Sequence, residues 1–370
     1  MDKKKILIVS RSFYPTLCPR AFRTTELAKE LARQGHEVKV ITSFSTDTNY
    51  INLGSRLNIV FKNLGIENYK QLQLKGNNIF DLLKRLFNRL ALMAFEFPDI
   101  QLMPKVVNSL KNEEGYDLLI SIAVPYPIHW GVSWTRNKKN PIAKTWVTDC
   151  GDPYMLSRLD TFNKWFYFKY VEKWFFKKAD YITVPIEGAK SAYYKEFHSK
   201  IRVIPQGFNL GDYIIPEHSF PNSPITFAYC GGFIAGKRDP SEFLNFLSNL
   251  DQNFKFIVYT KKTDLLNPYL LKLGKKIEIR DYVPRSELIS AISCMDFLIN
   301  FDNNNSVQLP SKLIDYAIAK RPILNIKNNL IKEDVIAFIN GDYTSALKIK
   351  NINEYDITNV ATKFTDLIKN

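Results

Sequence analysis

Ile6-Leu7-Ile8-Val9-Ser10, the segment 24–34, and Gly35 followed by Val38-Lys39-Val40-Ile41 together decide the fold of this chain. The first run is continuously apolar, as a strand buried on both faces must be. Within 24–34, Leu27, Ala28 and Leu31 recur at helical spacing. Gly35 is a helix stop, and a second apolar strand follows at once. Strand, helix, strand in that order predicts a parallel sheet with helices on both faces.

The same pattern continues outward. Residues 118–121 and 144–147 read as short buried strands, 163–178 as a long helix and 181–184 as a strand. A helix near 189–195 and a strand at 202–204 lead into Pro205-Gln206-Gly207. A second series then begins. Strands are expected at 225–229, 254–259, 277–279 and 297–299, and helices at 240–250, 285–292 and 311–319. The expectation is an α/β protein of two doubly wound domains, 1–207 and 208–370, with the last helix packing back on the first domain. A chain of 370 residues exceeds the usual size of one hydrophobic core.

Composition narrows the class further. An apolar fraction of 45% and a charged fraction of 24% describe a globular chain. The net charge of +14 favours polyanionic partners without choosing between phosphorylated ligands, anionic lipid and nucleic acid. No recognised nucleic-acid motif occurs, so nucleic acid is not expected as a partner. Cys18, Cys150, Cys230 and Cys294 are scattered, with no C-x-x-C pair, which fits a reducing cytoplasm. His36, His129, His198 and His218 are equally dispersed, so no metal set is expected. The apolar run after Lys3-Lys4-Lys5 is too short for a signal peptide, and no segment has the roughly 18 uninterrupted apolar residues of a spanning helix.

Two motifs carry chemistry in the second half. Gly231-Gly232-Phe233-Ile234-Ala235-Gly236-Lys237-Arg238 follows a strand and precedes a helix. Glycines let backbone N–H groups approach an anion, a helix start favours negative charge, and Lys237 and Arg238 neutralise it. The run nearly meets the phosphate-binding pattern G-x-x-x-x-G-K-[ST], but Arg238 replaces the hydroxyl residue that would hold magnesium. A nucleotide hydrolase and a plain strand-to-helix turn are the competing readings. Further on, Pro310-Ser311-Lys312-Leu313-Ile314-Asp315-Tyr316 opens a helix. Its free N–H groups suit phosphates, and Asp315, one turn in, suits a ribose diol or merely the helix dipole.

These segments, with Asp281-Tyr282-Val283-Pro284, resemble the donor domain of glycosyltransferase family 4, a family with the GT-B architecture of two Rossmann-like domains. The resemblance implies a nucleotide-sugar donor, with Gly231, Gly232, Lys237, Arg238, Ser311 and Lys312 around its diphosphate. It places Val283 at the base and Asp315 at the ribose. One departure stands out: Val307 lies eight positions before Asp315, where many members carry a glutamate.

The first half is similar to the family's acceptor domain. Asp152-Pro153-Tyr154 matches its Asp-Pro-aromatic sequence, making Asp152 the candidate to assist the acceptor hydroxyl; a turn before Pro153 is the plainer reading. Asp149 stands beside it, and Arg20 and Arg23 are candidates for an anionic acceptor. Residues 80–103 interleave apolar side chains with Lys84, Arg85 and Arg89, as in a helix lying on anionic lipid or one packed on the core.

Together the residues and the resemblance predict a cytoplasmic, metal-independent, retaining glycosyltransferase for surface polysaccharide, peripheral on the inner membrane face through 80–103. Asp152, Lys237 and Arg238 are the catalytic candidates, the acceptor is a glycan or lipid-linked sugar, and no cofactor beyond the co-substrate is required. A nucleotide-sugar epimerase and a non-catalytic nucleotide-binding subunit are the alternatives.

Overall fold

The computed structural model describes residues 2–16, 18–44, 50–65, 78–156, 164–302, 311–327, 330–349 and 352–369. The chain divides into two compact units. One comprises Met1–Phe208 with Glu354–Asn370, the other Asn209–Asn353.

The first unit is built on seven described strands: β1 (Lys5–Ser10), β2 (Glu37–Thr42), β3 (Val60–Asn63), β4 (Tyr116–Ala123), β5 (Ala143–Cys150), β6 (Tyr181–Val184) and β7 (Ile201–Val203). All pairings are parallel, in the order β3-β2-β1-β4-β5-β6-β7. Ile8 lies opposite Val40 on one side and Ile120 on the other, and all three are fully buried. Chain direction around the sheet reverses between β1 and β4, so that boundary is the switch point where such sheets take ligands.

The C-terminal helix Ile357–Thr365 belongs to this unit. Its Val360 and Phe364 enter the same core as Leu27 and Leu31 of the helix Pro19–Arg33. Gln34 and Arg33 hydrogen-bond to Thr358.

The second unit has five described strands: β8 (Ile225–Cys230), β9 (Phe254–Tyr259), β10 (Ile277–Arg280), β11 (Phe297–Phe301) and β12 (Ile323–Ile326), again all parallel, in the order β10-β9-β8-β11-β12. Its core is aromatic. Phe227 stacks on Phe256 and Phe297 with ring centroids 5.1 and 4.5 Å apart. The switch point falls between β8 and β11, at Cys230 and Phe301.

The expected doubly wound α/β halves are present. The helix expected near 189–195 is instead two 3-10 segments, Glu187–Ala192 and Lys195–Lys200. The described part of the long helix begins only at Phe168. Strands β3 and β12 add an edge to each sheet that the apolar runs did not announce.

Candidate functional site

At the second unit's switch point, β8 ends in Tyr229-Cys230 and the chain turns through Gly231 at φ +140°, a conformation side chains rarely adopt. Gly231 N–H donates to the Tyr259 carbonyl and Thr260 N–H to the Arg280 carbonyl, so the ends of β8, β9 and β10 are laced together. Ile234 and Arg238 then form a short antiparallel bridge closed by Gly236 at φ +70°.

This turn corrects the sequence reading in two ways. Lys237 and Arg238, adjacent in sequence, do not share an environment. The turn leaves Lys237 in solvent, whereas Arg238 is half-buried with its Nε shielded and without a hydrogen-bond partner. Nor does the loop run straight into a helix start as a phosphate loop would. Asp239 intervenes, its carboxylate accepting from Ser241 N–H at 3.0 Å and Gly236 N–H at 3.3 Å, and those hydrogen bonds hold its pKa below the ordinary value. The helix Ser241–Ser248 therefore offers its first donors to Asp239.

The partner of Arg238 is Lys312, seventy-four positions later. Lys312 sits in the first turn of the helix Ser311–Ile318, which is anchored by Tyr316: its hydroxyl accepts from Cys230 N–H at 2.9 Å. Lys312 Nζ is buried, has no hydrogen-bond partner, and stands 4.5 Å from the centroid of the Tyr229 ring. Burial first, and then the Arg238 charge, bring its pKa down to about 7. Tyr229 is held in place by its hydroxyl, which donates to the Gly232 carbonyl. Two cations with shielded, unpartnered nitrogens at one sheet edge are costly unless an anion joins them.

Asp315 is on the same helix, and Arg285 binds it through Nε at 2.6 Å and through Nη2. Burial raises the Asp315 carboxyl above its ordinary value, with Arg285 opposing. Val283 and Tyr282 project partly exposed from the loop after β10. Pro310 and Val307 lie outside the described residues, as does the side chain of Ser311.

In the first unit the sequence places Arg23 and Asp149 at an acceptor, but the structure turns them on each other. Arg23 donates from Nε and Nη2 to the Asp149 carboxylate at 3.0 and 2.9 Å. It also donates to the Ile204 and Pro205 carbonyls, and Thr183 donates to Asp149 at 2.7 Å. Burial alone would raise the Asp149 carboxyl; the Arg23 charge and hydrogen bonds outweigh it and hold the group low. Both side chains are 4% exposed, because Asp149 is part of β5 rather than of the loop beyond it.

Arg20 takes the accessible place. Its guanidinium lies against Gly151, where a Cβ would fall 1.3 Å from Nη2. Asp152 follows, half-buried, with its carbonyl accepting from the Tyr126 hydroxyl. Arg20, Gly151 and Asp152 are thus gathered at the carboxyl edge of β5.

Sequence reasoning missed Tyr229, Arg285 and Tyr316 as positioning side chains. An aromatic residue just before a glycine turn was the one available signal for Tyr229. Among the described residues, no group of three or more His, Cys, Asp or Glu side chains is arranged to hold a metal ion. No described helix is long and apolar enough to cross a membrane.

Comparison with solved structures gives the fold. TarM from S. aureus, in complex with fondaparinux, α-GlcNAc-glycerol and UDP, aligns over 100% of both chains with a TM-score of 0.61 and 12% identity. A glycosyltransferase from Rickettsia africae aligns over 100% of both chains with a TM-score of 0.60 and 14% identity. Anabaena HepE, in complex with UDP-glucose, aligns over 98% of each chain with a TM-score of 0.57 and 11% identity. No curated protein sequence matches the chain. Two Rossmann-like units with this strand order have the GT-B fold. Residues 22–212 match Glycosyltransferase Family 4, and the chain belongs to that family, which makes it a glycosyltransferase.

Proposed function

We propose that this glycosyltransferase takes its sugar from a nucleoside-diphosphate sugar, and that Arg238 and Lys312 bind the diphosphate. The observation that carries this reading is the pair of shielded, unpartnered cationic groups at the β8–β11 switch point. As the glycosidic bond to phosphate breaks, negative charge grows on the leaving diphosphate, and fixed cations aimed there lower the barrier. They supply the neutralisation that a metal ion would otherwise give, which supports a metal-independent reaction. Tyr229, Gly231 and Gly232 shape the approach, with Val283 at the base and Asp315, steadied by Arg285, at the ribose. Lys237, Ser311 and the helix start complete the donor side.

The acceptor side is Arg20, Gly151 and Asp152, with Asp152 oriented toward the acceptor hydroxyl. Arg23 and Asp149 act on it through the strand they brace. Family membership supports retention of anomeric configuration and a glycan acceptor of surface-polysaccharide type. A lipid-linked acceptor is supported by the helix Ile79–Phe95, which leaves Phe80, Leu83, Leu86 and Phe87 exposed beside Lys84. That helix would rest on the cytoplasmic face of an anionic membrane.

Thermal shifts with UDP-, GDP- and dTDP-sugars test the donor site, using wild type and Lys312→Met. One nucleotide sugar should stabilise the wild type and leave the variant unmoved, and transfer activity should fall about 10²-fold to 10³-fold. A variant that binds and turns over like the wild type refutes the assignment.

A further inference from the structure

The helix Phe168–Lys178 is aromatic on both sides. Phe168, Phe175 and Phe176 are buried in the first unit. On the opposite side, Tyr170 is 61% exposed and Trp174 is half-buried, continuing the exposed pair Trp165 and Phe166. Trp134 packs edge-on against Trp174 and is itself exposed. An ordinary surface helix turns polar groups outward. Here the outward positions alternate aromatic rings with Lys169 and Lys177, while Lys173 pairs with Glu196 and Lys178 donates to the Ser133 carbonyl.

This stripe adjoins the exposed helix Ile79–Phe95. That helix ends at Phe95, 67% exposed, and its cap Glu96 pairs with Lys164, the residue before Trp165. The ends of the two apolar runs are therefore joined by one partly buried ion pair. Lys164 Nζ also stands 5.4 Å from the centroid of the Tyr154 ring, two residues beyond Asp152.

Building on the membrane reading above, we infer that the segment 164–178 is a second docking element, forming with the helix Ile79–Phe95 one face for an anionic bilayer. Composition selects this occupant. Trp and Tyr bodies with lysine tips suit the headgroup layer, where each lysine adds attraction to anionic lipid. Protein interfaces are depleted in lysine, and a symmetric partner would set like charges against one another. Through Lys164, which contacts both Glu96 and the Tyr154 ring, this face is linked to the segment bearing Asp152, so an acceptor held in the same bilayer would be presented near it.

Flotation with vesicles of phosphatidylcholine, alone and with phosphatidylglycerol, tests this on the full chain. Wild type should float with the anionic vesicles. Trp165→Ala with Phe166→Ala and Tyr170→Ala should cut partitioning by about tenfold or more, as should Leu83→Glu with Phe87→Glu. Lys169→Glu with Lys177→Glu, which alters only outward positions, should give the same loss without a change in thermal midpoint. If the segment 164–178 variants partition like wild type while the 83/87 variant does not, the second element is refuted and the single-helix reading survives. If wild type floats with neither vesicle, both fall. A wild-type dimer that the triple variant dissociates, without vesicle binding, would assign the face to a protein partner and overturn the inference.

Discussion

The two units each place an arginine near a sheet's carboxyl edge, buried in the first and half-buried in the second, and they treat it in opposite ways. In the first, Arg23 is fully engaged: a carboxylate and two backbone carbonyls receive its donors, and Thr183 completes the carboxylate. In the second, Arg238 keeps a shielded nitrogen unpartnered, and its charge acts on another cation, Lys312. A satisfied buried pair braces a strand. An unsatisfied buried pair of like sign stores unfavourable energy that a bound anion releases. Candidate binding groups are thus distinguished from architectural ones by what they lack.

The comparison is broken most severely at Asp149. Asp149→Ala leaves Arg23 buried and uncompensated, and should cost about 3–5 kcal/mol in denaturant unfolding. Lys312→Met removes an uncompensated charge, so its stability should be equal to or above wild type while transfer is lost. If Lys312→Met destabilises as much as Asp149→Ala, the two sites do not differ as described.

Next in size is a pH effect. With its folded pKa near 7 and an unfolded value near 10.5, Lys312 is largely neutral in the free protein above pH 7. A bound diphosphate favours the protonated amine, so binding takes up a proton. UDP affinity, read by calorimetry, should fall as pH rises from 7 to 9, by at most about tenfold per unit. Stability without ligand should move the other way over the same window, because the unfolded chain there binds the extra proton. Lys312→Met should flatten both profiles; a persisting slope would assign the proton to another group.

The smallest effect is expected at Gly151. Gly151→Ala places a methyl on the guanidinium of Arg20, a flexible side chain that can move aside. Stability should change by less than about 1 kcal/mol, while KM for acceptor rises and KM for donor does not. An unchanged acceptor KM would remove Arg20 from the site.

Much of the fold was legible because the buried strands of a parallel sheet are nearly continuous apolar runs. Ile6-Leu7-Ile8-Val9 and Phe254-Lys255-Phe256-Ile257-Val258-Tyr259 announce themselves. Strand β3, Val60–Asn63, did not, because it is an edge strand with no fully buried residue. The site was legible only in part. Gly231, Arg238 and Lys312 were grouped around a diphosphate through the family resemblance, but the burial of Arg238 Nε and Lys312 Nζ without hydrogen-bond partners was not legible. Lys237 was paired with Arg238 through adjacency in sequence, which the Ile234–Arg238 bridge undoes. Arg23 and Asp149 stand 126 positions apart, and no local pattern signals their mutual capture.

The sequence by itself determined the periodicities: which segments become strands, which become helices, and that two doubly wound units result. Those follow from local backbone geometry and the need to bury apolar side chains. Only the tertiary structure decided which charges are spent and which are held in reserve. That depends on the neighbours a folded chain brings within a few ångströms and on the water it removes, and neither is written in the order of residues.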